Sequence, residues 1–223
     1  FHDDTQAWEE SVSYDRSQLD GFETIIDQYD MRLNDIIAIL KKKGVEYSDL
    51  SAVVARGGPF KPLQGGTYRV DDDVLSDIRA GRVMADHISN IAAILAHEIA
   101  GLAKVEAFFV DPVSVDEFDK LARYSGMKEL ERRSLVHALN IKATARKAAA
   151  ALGKDLRDVN VIVAHLGGGI SICPLKNGRI IDVNKANEGG PFSPERCGSL
   201  PLSSLAKLCY SREYTYQEIK KKI

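Results

Sequence analysis

The 223-residue chain has little cysteine: Cys173, Cys197 and Cys209 stand alone. An odd, scattered set excludes a disulfide framework, and the spacing lacks a metal-ligand pattern, so the thiols are expected to be reduced and the protein cytoplasmic. No apolar run approaches the roughly 20 residues that span a bilayer. The first residues lack a basic stretch followed by an apolar one, the mark of a signal peptide. No surplus of positive charge exists either, since the formal net charge is −2. That balance argues against a general nucleic-acid surface. Low-complexity tracts and short-period repeats are missing. So are G-x-x-x-x-G-K-[ST] and a strand–GxGxxG–helix unit, which removes the P-loop and Rossmann explanations for any phosphate site. With 44% apolar and 28% charged residues, what remains is an ordinary globular composition.

What the chain does contain is concentrated between Asn160 and Pro201. Val161 to Ala164 reads as a buried strand, followed by His165 and three glycines, Gly167, Gly168 and Gly169. Ile170 to Leu175 is a second strand, Asn177-Gly178 a two-residue hairpin signal, and Arg179 to Val183 the returning strand. A strand that opens into a triple glycine has shed its side chains where the backbone approaches something closely, and successive N–H groups there can cradle a phosphate. A plain turn accounts for the glycines equally well. His165 and Arg196, the latter in a second turn-rich segment, favour the phosphate.

Elsewhere the pattern predicts an edge hairpin or strand pair over Phe1 to Tyr14 and an amphipathic helix from Gln18 to Lys43. A strand over Ser51 to Ala55 ends in Arg56-Gly57-Gly58-Pro59, and Lys61 to Thr67 is a loop. Asp71 caps a helix to Ala80, and Asp86 to Leu102 forms another. Ala107 to Val110 is a strand closed by Asp111-Pro112. Asp116 to Tyr124 and Lys128 to Leu152 are expected to be helical. Alternating strands and helices make this an α/β chain. Ligands in such sheets sit at strand ends, which gathers Arg56, Asp111, His165 and Arg196 as candidates, with His87, Asn90 and His137 beside them. Two arginines, a carboxylate, histidines and a glycine turn suit phosphoryl transfer. Each also has a simpler reading: a solvated arginine, a turn-initiating aspartate, a satisfied core histidine. The opening Phe1 and the capping box Thr215–Glu218, two turns from the last residue, predict that the sequence is a portion of a longer chain.

The segments VVARGGPFKPLQGGTYRV, HISN, FFVDPVSVDEF, RRSLVHALNIKATAR, NVIVAHLGGGIS and GPFSPERCGSLP resemble the butyrate kinases. These belong with the acetokinases in the acetate/sugar kinase, Hsp70 and actin superfamily. The resemblance covers nearly the whole chain. It implies a fold of two ribonuclease-H-like domains around a cleft, incomplete here: 1–112 as most of the first domain and 113–223 as the start of the second. It implies reversible transfer of phosphoryl from ATP, with Mg²⁺, to butyrate or a related short-chain acid, and a homo-oligomer. By the same resemblance Arg56 and Arg196 contact the transferring phosphoryl, and Asp111 organises Mg²⁺ or the substrate carboxylate. His137 hydrogen-bonds the phosphoryl in flight, and His165 with Gly167, Gly168 and Gly169 forms the phosphate loop. His87 and Asn90 line the acyl pocket. Departures are the missing Asn-Pro-Gly-Ser-Thr-Ser-Thr-Lys segment and later adenosine site, Ile88 for Ala, Cys173 for Gly, and a shorter turn before Pro191. The same chemistry on acetate or propionate, and a non-catalytic module of this fold, are the alternative expectations.

Overall fold

The structure is a computed structural model describing residues 1–3, 5–185 and 187–223. The chain divides into two compact units, one of Phe1–Phe60 and Thr67–Val110, the other of Lys61–Gly66 and Asp111–Ile223.

The first unit is built on a three-stranded sheet in the order β1-β3-β2: β1 (Ala52–Ala55), β2 (Thr67–Arg69) and β3 (Glu106–Val110). β1 and β3 run parallel, with Val54 opposite Phe108, and β2 is antiparallel to β3, with Tyr68 opposite Phe109. Phe109 is 1% exposed, with Tyr68 stacked against it and Phe60 edge-on at 5.1 Å. Helix α4 (Ile91–Ala103) packs on β1 and β3. Its buried residues Ile91, Ala93, Ile94, Leu95, Ala96, Ile99 and Ala100 form a face too wide for a surface helix, as its central place requires. Asp71 caps α3 (Asp72–Arg79) by accepting the Val74 N–H.

Several expectations are corrected here. The sequence reading missed β2. Among the described residues of the first fourteen there is no hairpin or strand pair beyond the single bridge His2–Thr5. Instead the segment is tied to α2 (Tyr29–Lys42) by Tyr14 to Asp35 at 2.7 Å and to the residue that ends that helix by Lys43 to Glu10 at 2.8 Å. The helix expected from Gln18 breaks into α1 (Arg16–Leu19), a 3₁₀ turn at Ile26–Gln28, and α2. Gly21 falls in the break, where a helix interior would be weakened.

The second unit carries an antiparallel meander of β4 (Asn160–Leu166), β5 (Ile170–Lys176) and β6 (Arg179–Ile180). Asn177 and Gly178 both have positive φ, 51° and 78°, as a primed two-residue hairpin turn requires. Helix α5 (Ala138–Ala151) lies over β4, and Val136, Ile141, Ala145, Val163, Cys173, Leu175 and Ile180 close the core between them. A buried ion pair crosses that core. Lys142 meets Glu117 at 2.7 Å, and Glu117 also accepts the N–H groups of Gly65 and Ile180. Both carboxylate oxygens thereby have donors where water is excluded. Helices α6 (Leu202–Cys209) and α7 (Tyr216–Lys222) follow, α7 opening on the predicted capping box.

Two predicted helices shrink. Of Asp116 to Tyr124 only Lys120–Arg123 winds into a 3₁₀ turn, the Asp116 and Asp119 N–H groups being given to the carbonyls of Leu63 and Ile181. Lys128 to Leu152 is helical only from Ala138. Residues before it are pulled out straight by tertiary bonds: Arg132 to Asp182 and Val183, Ser134 Oγ to the Val115 carbonyl, and Val136 N–H to the Val113 carbonyl. Tertiary context overrides helix propensity there. Among the described residues no helix is long and apolar enough to cross a membrane.

Candidate functional site

In the first unit the chain leaves β1 directly into Arg56, whose side chain is exposed, and then into Gly57 at φ 75°. Gly58 is there for space. A Cβ on it would lie 2.8 Å from the main-chain nitrogen of Asn90 and 2.1 Å from its Oδ1. The ARGG turn and the HISN turn are therefore in contact, a relationship no sequence spacing announces. Asn90 is 4% exposed. Its amide nitrogen donates to the Ala85 carbonyl at 2.9 Å, while its Oδ1 has no hydrogen-bond partner among the described residues. His87 caps the 3₁₀ turn Ile88–Asn90, its Nδ1 accepting the Ser89 N–H. That bond leaves Nε2 as the protonated nitrogen of a neutral ring. The turn that carries Arg56 thus lies against the turn that carries His87 and Asn90.

The second unit brings together His137, His165, the glycine turn and the Arg196 segment. His137 is the residue before α5, and His165 lies near the end of β4. Their rings stack with centroids 4.0 Å apart and 13° between planes. His137 Nδ1 meets Ser171 Oγ at 2.9 Å, and His165 Nδ1 meets Asn140 Oδ1 at 3.0 Å. Gly167, Gly168 and Gly169 make the three-residue connection between β4 and β5, whose ladder runs to Leu166 opposite Ile170. Two of them face side chains, the stacked His165 ring at Gly167 and the flexible end of Glu195 at Gly168. A Cβ on Gly167 would stand 2.9 Å from His165 Nε2, and one on Gly168 would stand 2.6 Å from the Glu195 carboxylate.

Arg196 belongs to a loop that closes on itself. Ser193 N–H donates to the Arg196 carbonyl and Ser199 N–H to the Gly190 carbonyl, both at 2.9 Å. Gly198, at φ 67°, has the Phe192 nitrogen 2.5 Å from where a Cβ would go, so only glycine fits. The loop is fastened to the glycine turn: Ser193 Oγ–H and Glu195 N–H both donate to the Gly168 carbonyl. Arg196 itself is exposed, its Nε donating to Asn187 Oδ1 at 3.1 Å and Nη1 to the Glu195 carbonyl at 2.7 Å. Sequence reasoning missed Glu195, Asn140 and Ser171. Only the neighbourhood of Glu195 and Arg196 in PERCG hinted at the first.

Asp111 is the first residue of the second unit's long segment. It is 2% exposed and has φ 38°. Its Oδ1 accepts the Gly66 N–H at 2.8 Å, its own N–H donates to the Gly66 carbonyl at 2.9 Å, and Arg146 donates to Oδ2 at 2.6 Å. Both oxygens are engaged and the group is desolvated. Mg²⁺ keeps several waters and takes one or two accessible carboxylates, so Asp111 does not fit a direct magnesium ligand. Among the described residues no group of three His, Cys, Asp or Glu side chains is placed to hold a metal.

The fold has solved counterparts. An acetate kinase from Porphyromonas gingivalis matches 85% of the chain at TM-score 0.68 and 18% identity, over 51% of its own length. One from Entamoeba histolytica matches 86% at TM-score 0.63 and 16% identity, again over 51% of its length. The chain therefore has part of the actin-like, ribonuclease-H-like ATPase architecture. Residues 70–220 match the acetokinase family, and the protein belongs to that family. Butyrate kinase 1 and butyrate kinase 2 of Clostridium acetobutylicum are each 45% identical to it over 224 residues of alignment, covering all of this chain. The chain spans 63% of the length of each of these relatives.

Proposed function

We propose that the protein transfers the γ-phosphoryl group of ATP to the carboxylate of a short-chain acid, butyrate or a branched relative, reversibly giving an acyl phosphate and ADP. The observation that carries this reading is the 45% identity to two butyrate kinases, spread over the entire chain. The cluster of His137, His165, the glycine turn and the Arg196 loop within one unit supports it.

The acid needs no general base, because a carboxylate is ionised at pH 7. Its oxygen forms a bond to the γ-phosphorus in line as the bond to the bridging oxygen breaks, and ADP leaves with that electron pair. No covalent enzyme intermediate is needed. Charge spreads over the equatorial oxygens, so the enzyme's work is positioning and electrostatic stabilisation. Arg56, Arg196 and His137 are assigned to those oxygens. His165 and Gly167, Gly168 and Gly169 are assigned to the nucleotide's phosphates, and His87 and Asn90 to the acyl pocket. Asp111 acts by holding the Gly66 turn and Arg146. Magnesium, in this reading, arrives on the nucleotide. The first unit corresponds to most of the first ribonuclease-H-like domain and the second to the beginning of the next. We place the protein in the cytoplasm as a homo-oligomer.

The test is a hydroxamate assay of the full-length protein with Mg-ATP and straight and branched acids of two to five carbons. Turnover highest with butyrate or a branched acid is expected. No acyl phosphate with any of them would refute the reading. One methylene in an apolar pocket is worth about 1–3 kcal/mol, so a preference of roughly ten-fold or more between neighbouring acids is expected.

A further inference from the structure

The two stacked rings are held by a reciprocal arrangement. His137 and Asn140 lie one turn apart at the start of α5, and His165 and Ser171 are directly opposite each other on β4 and β5. Each ring reaches across to the other pair. His137 on the helix bonds Ser171 on the sheet, and His165 on the sheet bonds Asn140 on the helix. Ser171 is fully buried, while Asn140 is exposed, its Oδ1 the partner of His165 Nδ1. An amide oxygen only accepts, so His165 Nδ1 must carry the proton. The other nitrogen, Nε2, lies on the side of the glycine turn, 2.9 Å from where a Gly167 Cβ would be.

We infer that Asn140 is a positioning residue which fixes His165 in the Nδ1–H tautomer and aims Nε2 at the Gly167–Gly169 turn, with Ser171 steadying the His137 ring stacked against it. The inference rests on the proposed role of His165 at the nucleotide's phosphates, to which Nε2 donates once it also takes up a proton, the ring then being an imidazolium whose Nδ1–H stays on Asn140. The unconstrained imidazole has no such orientation, and a ring that turns over exchanges the two nitrogens at the turn. Loss of aim of this kind costs a transferase much more in turnover than in binding.

The experiment uses the full-length protein with Asn140→Ala and the conservative Asn140→Asp, which keeps an acceptor. Long-range ¹H–¹⁵N spectra of the imidazoles, with His165 assigned through His165→Gln, read the tautomer directly. Nδ1–H in the parent and in Asn140→Asp, with a change to Nε2–H or a mixture in Asn140→Ala, is expected. Nε2–H in the parent, or an unchanged tautomer in Asn140→Ala, would overturn the inference. Acyl-phosphate formation is measured on the same proteins. Asn140→Ala is expected to lower kcat roughly 10- to 100-fold with KM for ATP little changed, and Asn140→Asp to recover most of it. If the tautomer responds as expected while kcat stays constant, the ring is positioned as inferred and the assignment of His165 to the phosphates fails. If no variant or parent forms acyl phosphate, the functional reading fails and the spectra alone decide the positioning.

Discussion

The imidazoles of His137 and His165 lie face to face, 4.0 Å between centroids and 13° from parallel. One comes from the start of a helix and the other from the end of a strand 28 residues later, counted from their positions in the chain. Residues in such contact do not act independently. The kcat/KM losses of His137→Ala and His165→Ala are therefore expected to be non-additive, with a coupling of roughly 0.5–3 kcal/mol in a double-mutant cycle. A double variant whose loss equals the sum of the singles would show that the stack has no energetic consequence.

Gly58 and Gly101 separate crowding from flexibility. A methyl group on Gly58 meets main-chain atoms of Asn90 at 2.8 and 2.9 Å, whereas one on Gly101, in α4, meets nothing within 4 Å. Gly58→Ala is expected to destabilise by about 1–3 kcal/mol, the usual cost of overpacking. Gly101→Ala should stabilise by about 0.5–1 kcal/mol, as in an exposed helix interior. Urea unfolding of the two variants gives opposite signs; equal signs would contradict the described contact.

How much of this was legible in the sequence follows from the range of the interactions. Asn177-Gly178, Asp71 and the Thr215–Glu218 box act within three residues, and the structure has each where the pattern puts it. The stretch before His137 has a helical pattern, yet its conformation is set by Asp182, Val183, Val115 and Val113, none of them near in sequence. The same holds in the candidate site. A triple glycine is visible in one dimension, but that Gly168 makes room for Glu195 and Gly58 for Asn90 is a property of the folded chain. Nothing in the spacing of Asn140 and Ser171 marks them as partners of two histidines.

Asp111 and Arg146 test the anchored carboxylate. Among the described residues, Arg146→Ala leaves the buried Asp111 carboxylate with the Gly66 N–H alone, on one oxygen. Removing one partner of a buried pair costs about 3–5 kcal/mol, and because the Arg146 side chain is 49% exposed a smaller loss, about 2–3 kcal/mol, is expected. Arg146→Lys should recover part of it. A thermal or urea unfolding curve unchanged by Arg146→Ala would remove Asp111 from this role.

Burial pushes the Cys173 thiol up to about 12, with the Asp182 charge adding to it. At pH 8 Cys209, which is exposed, is expected to react with a thiol reagent in the folded protein, and Cys173 only on unfolding. A raised folded value means that the native state holds this proton more tightly than the unfolded chain. The associated stability is thus present below pH 9.0 and declines as pH rises toward about 12. Cys173→Ala should flatten that part of the pH–stability curve. Rapid labelling of Cys173 in the native protein would contradict its placement.

The central claim is that guanidinium groups at Arg56 and Arg196 stabilise the phosphoryl group as it moves between ATP and a short-chain carboxylate. The most direct measurement is acyl-phosphate formation by full-length Arg56→Ala and Arg196→Ala with saturating Mg-ATP and butyrate. Loss of a donor aimed at developing charge costs roughly 10²–10³-fold in kcat, and a fall of that size is predicted for each variant, with native unfolding curves. Turnover near that of the parent in both variants would contradict it.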